Sequence, residues 1–184
     1  VTGFKKAKFF AKWRKDNPKE SRRVLHRGNV FHQIVEDYLN NKEVTMDGIR
    51  PDIWMMFEQA KPVLENINNV HAQEVPLWSS TLQLAGRVDC VAEYNGKLSV
   101  IDFKGSTREK RESDIDNYFM QASAYAIMYH ERTGIPIDNI VILISTEEGT
   151  TQVFESNPLK HTKKLYDCIQ DYKLYLEREL QMYR

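Results

Sequence analysis

The chain has 184 residues, 41% hydrophobic and 28% charged, the proportions of a folded, water-soluble protein with a real core rather than a disordered or fibrous one. Lys and Arg balance Asp and Glu at 26 each, which excludes a polycation that binds nucleic acid by bulk charge. Two cysteines, Cys90 and Cys168, are too few for a disulfide framework or a four-thiolate zinc or iron–sulfur site. No apolar run approaches the roughly 18 residues that span a bilayer.

The first residue is Val1, not methionine, as after removal of a leader or further segment. The interrupted basic N-terminus does not read as a secretory signal. Phe4 to Lys15 predicts a short helix closed by Asn17-Pro18. Charge is unevenly spread here: Lys5, Lys6, Lys8, Lys12, Arg14, Lys15, Lys19, Arg22, Arg23 and Arg27 face only Asp16 and Glu20 before Val30. Such a run is either a solvated helical face or a phosphate-tracking surface. Its aromatics, Phe9, Phe10 and Trp13, either pack on the core or stack on single-stranded bases. A second helix, about Lys19 to Asn41, repeats Val24, Phe31, Val35 and Leu39 at helical spacing. A third, about Arg50 to Ile67, has Pro51 near its start and Pro62 as a point of kinking.

The period then changes to two. Val70 to Ser79 and Leu82 to Tyr94 alternate as strands, Asn95-Gly96 signals a tight hairpin, and Lys97 to Lys104 is the return strand. Gly105 to Ser113 is polar and reads as a mobile, strand-contacting loop. A helix from about Asp114 to Arg132 ends before Gly134 and Pro136, Ile140 to Ser145 and Thr151 to Glu155 are strands, and a helix from about Leu159 to Met182 follows. No repeat, low-complexity tract or Gly/Ser linker divides the chain, so one domain is expected over residues 1–184. The basic helices occupy 1–41, the sheet and its helix 70–155, and the closing helix 159–182. This order predicts an α+β (mixed α/β) fold, with a three-strand meander plus two further strands flanked by helices.

Asp102 and Lys104 in "VIDFKGS" raise a question of chemistry. The text D-x-K is common, and Asp171-Tyr172-Lys173 repeats it. That copy lies in a helix, where residues two apart diverge, whereas on a strand they share a face. Equal steps outward from Asn95-Gly96 set Asp89 opposite Asp102, and opposed carboxylates repel. A divalent cation would resolve the conflict. So would an ion pair of Asp89 with Lys104 or Arg87, and the hairpin alone does not choose between them.

These residues resemble the PD-(D/E)XK nucleases, particularly the RecB-like branch. That branch carries a helical histidine, G-x-x-D, D-x-K and Q-x-x-x-Y in order. Here "GNVFHQIVEDYL" offers His32, "GRVD" Asp89, "VIDFK" Asp102 and Lys104, and "QASAY" Gln121 and Tyr125. Within the branch, residues 86–104 look most like the mitochondrial genome-maintenance exonucleases and related phage proteins. One departure stands out: Gly105 replaces the usual threonine before Ser106.

The resemblance implies a restriction-endonuclease-like core and phosphodiester hydrolysis by a metal-dependent exonuclease on single-stranded DNA ends or flaps. Asp89, Asp102 and the Phe103 carbonyl would hold one or two Mg²⁺ or Mn²⁺ ions, with His32 as a nitrogen ligand. Lys104 would act on the attacking water, and Gln121 and Tyr125 would face the site. Glu36, Glu74, Arg87 and Ser106 are candidates for outer contacts to ligands or DNA. A missing side chain at Gly28, one turn before His32, would permit close approach. The iron–sulfur subgroup is excluded, since it needs four cysteines. A monomer without membrane contact is expected, in a bacterial or phage-infected cytoplasm or a mitochondrial matrix. The alternatives are an endonuclease on the same core and a non-catalytic nucleic-acid-binding module.

Overall fold

A computed structural model describes residues 2–181, with side chains from residue 9 onward. Three helices come first: α1 (Thr2–Asp16), α2 (Pro18–Leu39) and α3 (Pro51–Leu64). Then follow β1 (Ile67–Ser79), β2 (Leu84–Tyr94), β3 (Lys97–Ser106), α4 (Asp116–Thr133), β4 (Asn139–Thr146), β5 (Thr151–Ser156) and α5 (Thr162–Gln181). The strands form one sheet in the order β1-β2-β3-β4-β5. The first three run as an antiparallel meander, β4 joins β3 in parallel through the α4 crossover, and β5 returns antiparallel. This is the mixed α+β architecture expected from the sequence.

The hairpin is set by local chemistry. Asn95 and Gly96 both have positive φ, 49° and 76°, the primed turn whose twist matches paired strands. Tyr94 therefore pairs with Lys97, and the register holds to Cys90 opposite Ile101. Along β4, alternate side chains enter opposite cores. Ile140, Ile142 and Ile144 join Val88, Val100, Phe119 and Leu165 beneath α4 and α5. Val141 and Leu143 join Phe31, Val35, Phe57 and Ile101 beneath α2 and α3. A strand buried on both faces reads as the continuous apolar run seen here.

Several boundaries move from their expected places. Ile67 opens β1 instead of closing α3. Pro62 cannot donate in the last turn, and the Asn66 side chain caps its carbonyl at 3.0 Å. The last helix starts at Thr162, after a 3₁₀ turn over Pro158–Lys160 whose Leu159 N–H is capped by Asn157. The expected end at Met182 lies outside the described residues. Gly134 closes α4 as anticipated, at φ 74° with its N–H on the His130 carbonyl. The stretch after β3 is not a free loop. Lys110 exchanges two hydrogen bonds with the Gln152 side chain, and the Glu109 N–H reaches Glu148. Phe9 and Phe10 do not join the core, being 63% and 47% exposed and set edge to face against each other.

Candidate active site

The ladder ends one step short of the expected opposition of Asp89 and Asp102. Cys90 opposite Ile101 is the last pair. Beyond it, Asp89 Oδ2 accepts the Phe103 N–H at 2.9 Å, so a side chain takes the place of a backbone partner. Alternation along β2 breaks at the same residue: Val88 and Val91 both enter the core under α4, and Cys90 enters the other one. The strands part where the carboxylates sit.

Asp102 is 3% exposed. Its Oδ1 accepts from Lys104 Nζ at 2.8 Å, and its Oδ2 is buried with no partner among the described residues. Burial pushes the Asp102 carboxyl up to about 7, against the pull of Lys104. Burial also raises Asp89, opposed by Lys104 and the Phe103 N–H. At Lys104 burial acts downward, but the Asp102 charge and hydrogen bond outweigh it, and the ammonium moves up. Lys104 therefore stays protonated at neutral pH. Nζ also lies 5.2 Å from the Tyr118 ring centroid, a cation–π contact that fixes its direction.

His32 comes from α2, with Nδ1 3.8 Å from Asp89 Oδ2. Burial, then Lys104, lowers its pKa, so the imidazole is neutral at physiological pH, the form that ligates metal. Glu74 joins this group from β1: one ligand atom from each of His32, Glu74 and Asp89 lies within 4.8 Å of the others. Together these groups fit a divalent cation. Carboxylate oxygens and one imidazole nitrogen suit Mn²⁺ or Mg²⁺, and the orphaned Asp102 oxygen is a buried acceptor in need of a positive partner.

A cleft of ≈ 520 Å³ opens onto the site, lined by Gly28, His32, Glu36, Glu74, Arg87 and Lys104 among others. A larger hollow of ≈ 750 Å³ near Tyr38, Leu64 and Ile67 contains none of the chemistry. A Cβ on Gly28 would meet nothing within 4 Å, so this glycine widens the cleft and does not admit a neighbouring element, contrary to expectation. Gln121 and Tyr125 share one face of α4, linked at 3.4 Å. Gly86 gives Tyr125 its place: a Cβ there would lie 2.8 Å from the tyrosine hydroxyl and 2.9 Å from a ring carbon. The Gly of "GRVD" is thus required by the Tyr of "QASAY". Gly86→Ala should destabilise the fold by about 1–3 kcal/mol through this collision, read as a lower denaturant midpoint with unchanged slope.

Other expected contacts are placed differently. Ser106 is buried and its hydroxyl donates to the Arg108 carbonyl at 2.6 Å, so it holds the loop and does not face a substrate. Arg87 pairs with Glu74 at 2.8 Å, not with Asp89. Glu36 accepts from Gln33 at 3.5 Å, on the same cleft. Of the basic run, Arg23 and Arg27 are committed to Glu147, at 2.7 and 2.5 Å. Lys12, Arg14, Lys15, Lys19 and Arg22 remain exposed. Sequence reasoning missed Tyr118. Its position three before Gln121 and seven before Tyr125, on the same helical face, was the available signal.

Residues 6–171 match the family model of the PD-(D/E)XK nuclease superfamily. The chain is 30% identical over 131 residues to mitochondrial genome maintenance exonuclease 1 of Homo sapiens, covering 69% of this chain and 38% of that protein. The Xenopus tropicalis relative of the same name is 32% identical over 136 residues, with the same coverage. The chain therefore spans well under half the length of these relatives. A crystal structure of a candidate exonuclease from Eubacterium rectale superposes with a TM-score of 0.53 at 10% identity, over 83% of this chain and 66% of that one, a likeness of fold. With its match extending from the basic helices to the last helix and enclosing every residue of the site, the chain belongs to the PD-(D/E)XK nuclease superfamily.

Proposed function

We propose that this chain is a Mg²⁺- or Mn²⁺-dependent deoxyribonuclease, an exonuclease on single-stranded DNA ends or flaps that acts in replication, repair or recombination. The observation that carries the reading is Asp102, buried beside Asp89 with one oxygen on Lys104 and the other without a partner. The exonuclease names of the relatives support the finer reading. Asp89, Asp102, the Phe103 carbonyl and His32 would hold the cation, which polarises the phosphate and acidifies bound water.

The chain's own residues do the rest. Protonated Lys104 donates toward the attacking water and the charge that builds on the phosphate. Asp102 and the Tyr118 ring keep Nζ aimed. Gln121 and Tyr125, linked to each other on α4, would position substrate. The exposed lysines and arginines of α1 and α2 would track phosphates, with Phe9 and Phe10 open to stack on bases. Among the described residues no helix is long and apolar enough to cross a membrane. In this reading the protein works as a monomer with a single nuclease unit.

End-labelled linear single strands should be degraded with Mg²⁺ or Mn²⁺ and spared in EDTA, while circular single strands persist. Cutting of circles would favour the endonuclease alternative. Full activity in Lys104→Ala would remove the assignment.

A further inference from the structure

One acidic residue of the site stands where its strand bends against its own preference. Gln73 pairs with Cys90 and Val75 with Val88, so Glu74 stands level with Asp89. Yet Glu74 has φ 52°, in the left-handed region that an L side chain other than Asn or Asp seldom adopts. Arg87 pins the residue from outside, its Nε donating to the Glu74 carbonyl at 2.9 Å and forming an ion pair with the carboxylate at 2.8 Å. That pair does not account for the bend, because the Arg87 side chain is 65% exposed. A solvated ion pair contributes less than such backbone strain costs.

The bend does bring a carboxylate to the metal-binding side of the site. Glu74, His32 and Asp89 each offer one donor atom within 4.8 Å of the others. A cation held at about 2.1 Å spans neighbouring donors about 3 Å apart and opposite donors about 4 Å apart. The separation of His32 Nδ1 from Asp89 Oδ2, 3.8 Å, falls within that range. An independent observation points to a cation here as well. Among the described residues Asp102 Oδ2, two strands away from Glu74, is buried without a partner.

We propose that Glu74 is a direct ligand of a divalent cation, forming with His32 and Asp89 a subsite beside the one between Asp89 and Asp102. The left-handed bend in β1 is kept because it delivers this carboxylate. With one nitrogen and two carboxylates the subsite suits Mn²⁺ better than Mg²⁺. The inference rests on the proposed metal-dependent nuclease and adds a ligand that the family pattern does not supply.

The test is Mn²⁺ binding to the whole chain without DNA, followed by the paramagnetic resonance of free Mn²⁺ and by calorimetry. Wild type, Glu74→Gln and Glu74→Gly are compared, each also melted in EDTA. Both variants should bind Mn²⁺ at least about tenfold more weakly or lose one bound ion. Glu74→Gly should melt about 2–4 °C higher than wild type in EDTA, because glycine adopts the bend freely; lost binding then cannot be misfolding. If Glu74→Gln keeps wild-type stoichiometry and affinity within about twofold, the inference fails and the nuclease reading stands. If wild type itself takes up no Mn²⁺, the metal-dependent reading fails with it.

Discussion

Asp102→Asn should lose at least about 10³-fold of nuclease activity and, in EDTA at pH 8, melt at a higher temperature than the native protein. Both effects come from one buried carboxyl. Its burial moves the folded-state value up to about 7, while the unfolded chain titrates near about 3.9. Between those values the folded protein holds a proton that the unfolded chain has released. Stability therefore falls as pH rises from about 4 to about 7, and above that window the whole cost of the buried charge is present. Asparagine keeps the shape and carries no charge, so at pH 8 it should restore on the order of 2 kcal/mol. At pH 5, where the native carboxyl is already neutral, the two proteins should melt nearly together. A cation offsets the same cost in the native protein only, so added Mn²⁺ should close or reverse the gap at pH 8. Digestion rates and melting curves at the two pH values test the argument. An asparagine variant with a tenth of native activity, or one that melts lower at pH 8, would overturn it.

The hairpin and the site differ in how far they could be read from the chain. Asn95-Gly96 requires positive φ at both turn positions, and pairing from Tyr94–Lys97 to Cys90–Ile101 follows by counting. Local chemistry is sufficient there. It stops being sufficient at Asp89, whose carboxylate replaces the next ladder bond, because alternation carries no mark for a strand about to part. Glu74 is legible in the sequence only as an outer contact, for the same reason: its place level with Asp89 can be counted only once β1 is aligned, and its φ of 52° has no sequence signature. Lys104 was recognisable from strand parity, but its partners were not. Tyr118 reaches it from another element, and Asp102 engages it within its own strand. The buried Arg27 looked like one more member of a basic run, since its partner Glu147 lies 120 residues away.

That partner carries the largest stability effect expected here. Glu147→Ala should cost about 3–5 kcal/mol, lowering the melting temperature by about 6–20 °C for a chain of this size. The Arg27 side chain is 3% exposed. Besides Glu147 it has, among the described residues, only the Thr107 hydroxyl at 3.2 Å and the Gly105 carbonyl at 3.3 Å, and its Nε has no partner there. Without the carboxylate a buried guanidinium would face two neutral acceptors. Arg23 shares Glu147 but is 30% exposed and can turn to water. Burial acts to raise the Glu147 carboxyl, yet the two arginines outweigh it and hold it below the usual range. The pair's stabilisation is therefore present above about pH 4.3 and is lost as pH falls through the depressed folded value. Replacing both partners, with Arg27→Met and Glu147→Leu together, should recover more than half of the loss, because no charge is then buried. A double variant as unstable as Glu147→Ala would refute this account. The same guanidinium explains the glycine that departs from the family pattern. A Cβ on Gly105 would lie 3.2 Å from the Met56 methyl and 3.6 Å from Arg27 Nε. Alanine should be nearly neutral, since the methionine end can move. Threonine would press on Arg27 and cost about 1–3 kcal/mol. Gly105 thus leaves the space beside Lys104 to Arg27, and so ties α2, which carries His32, to the strand that carries Asp102.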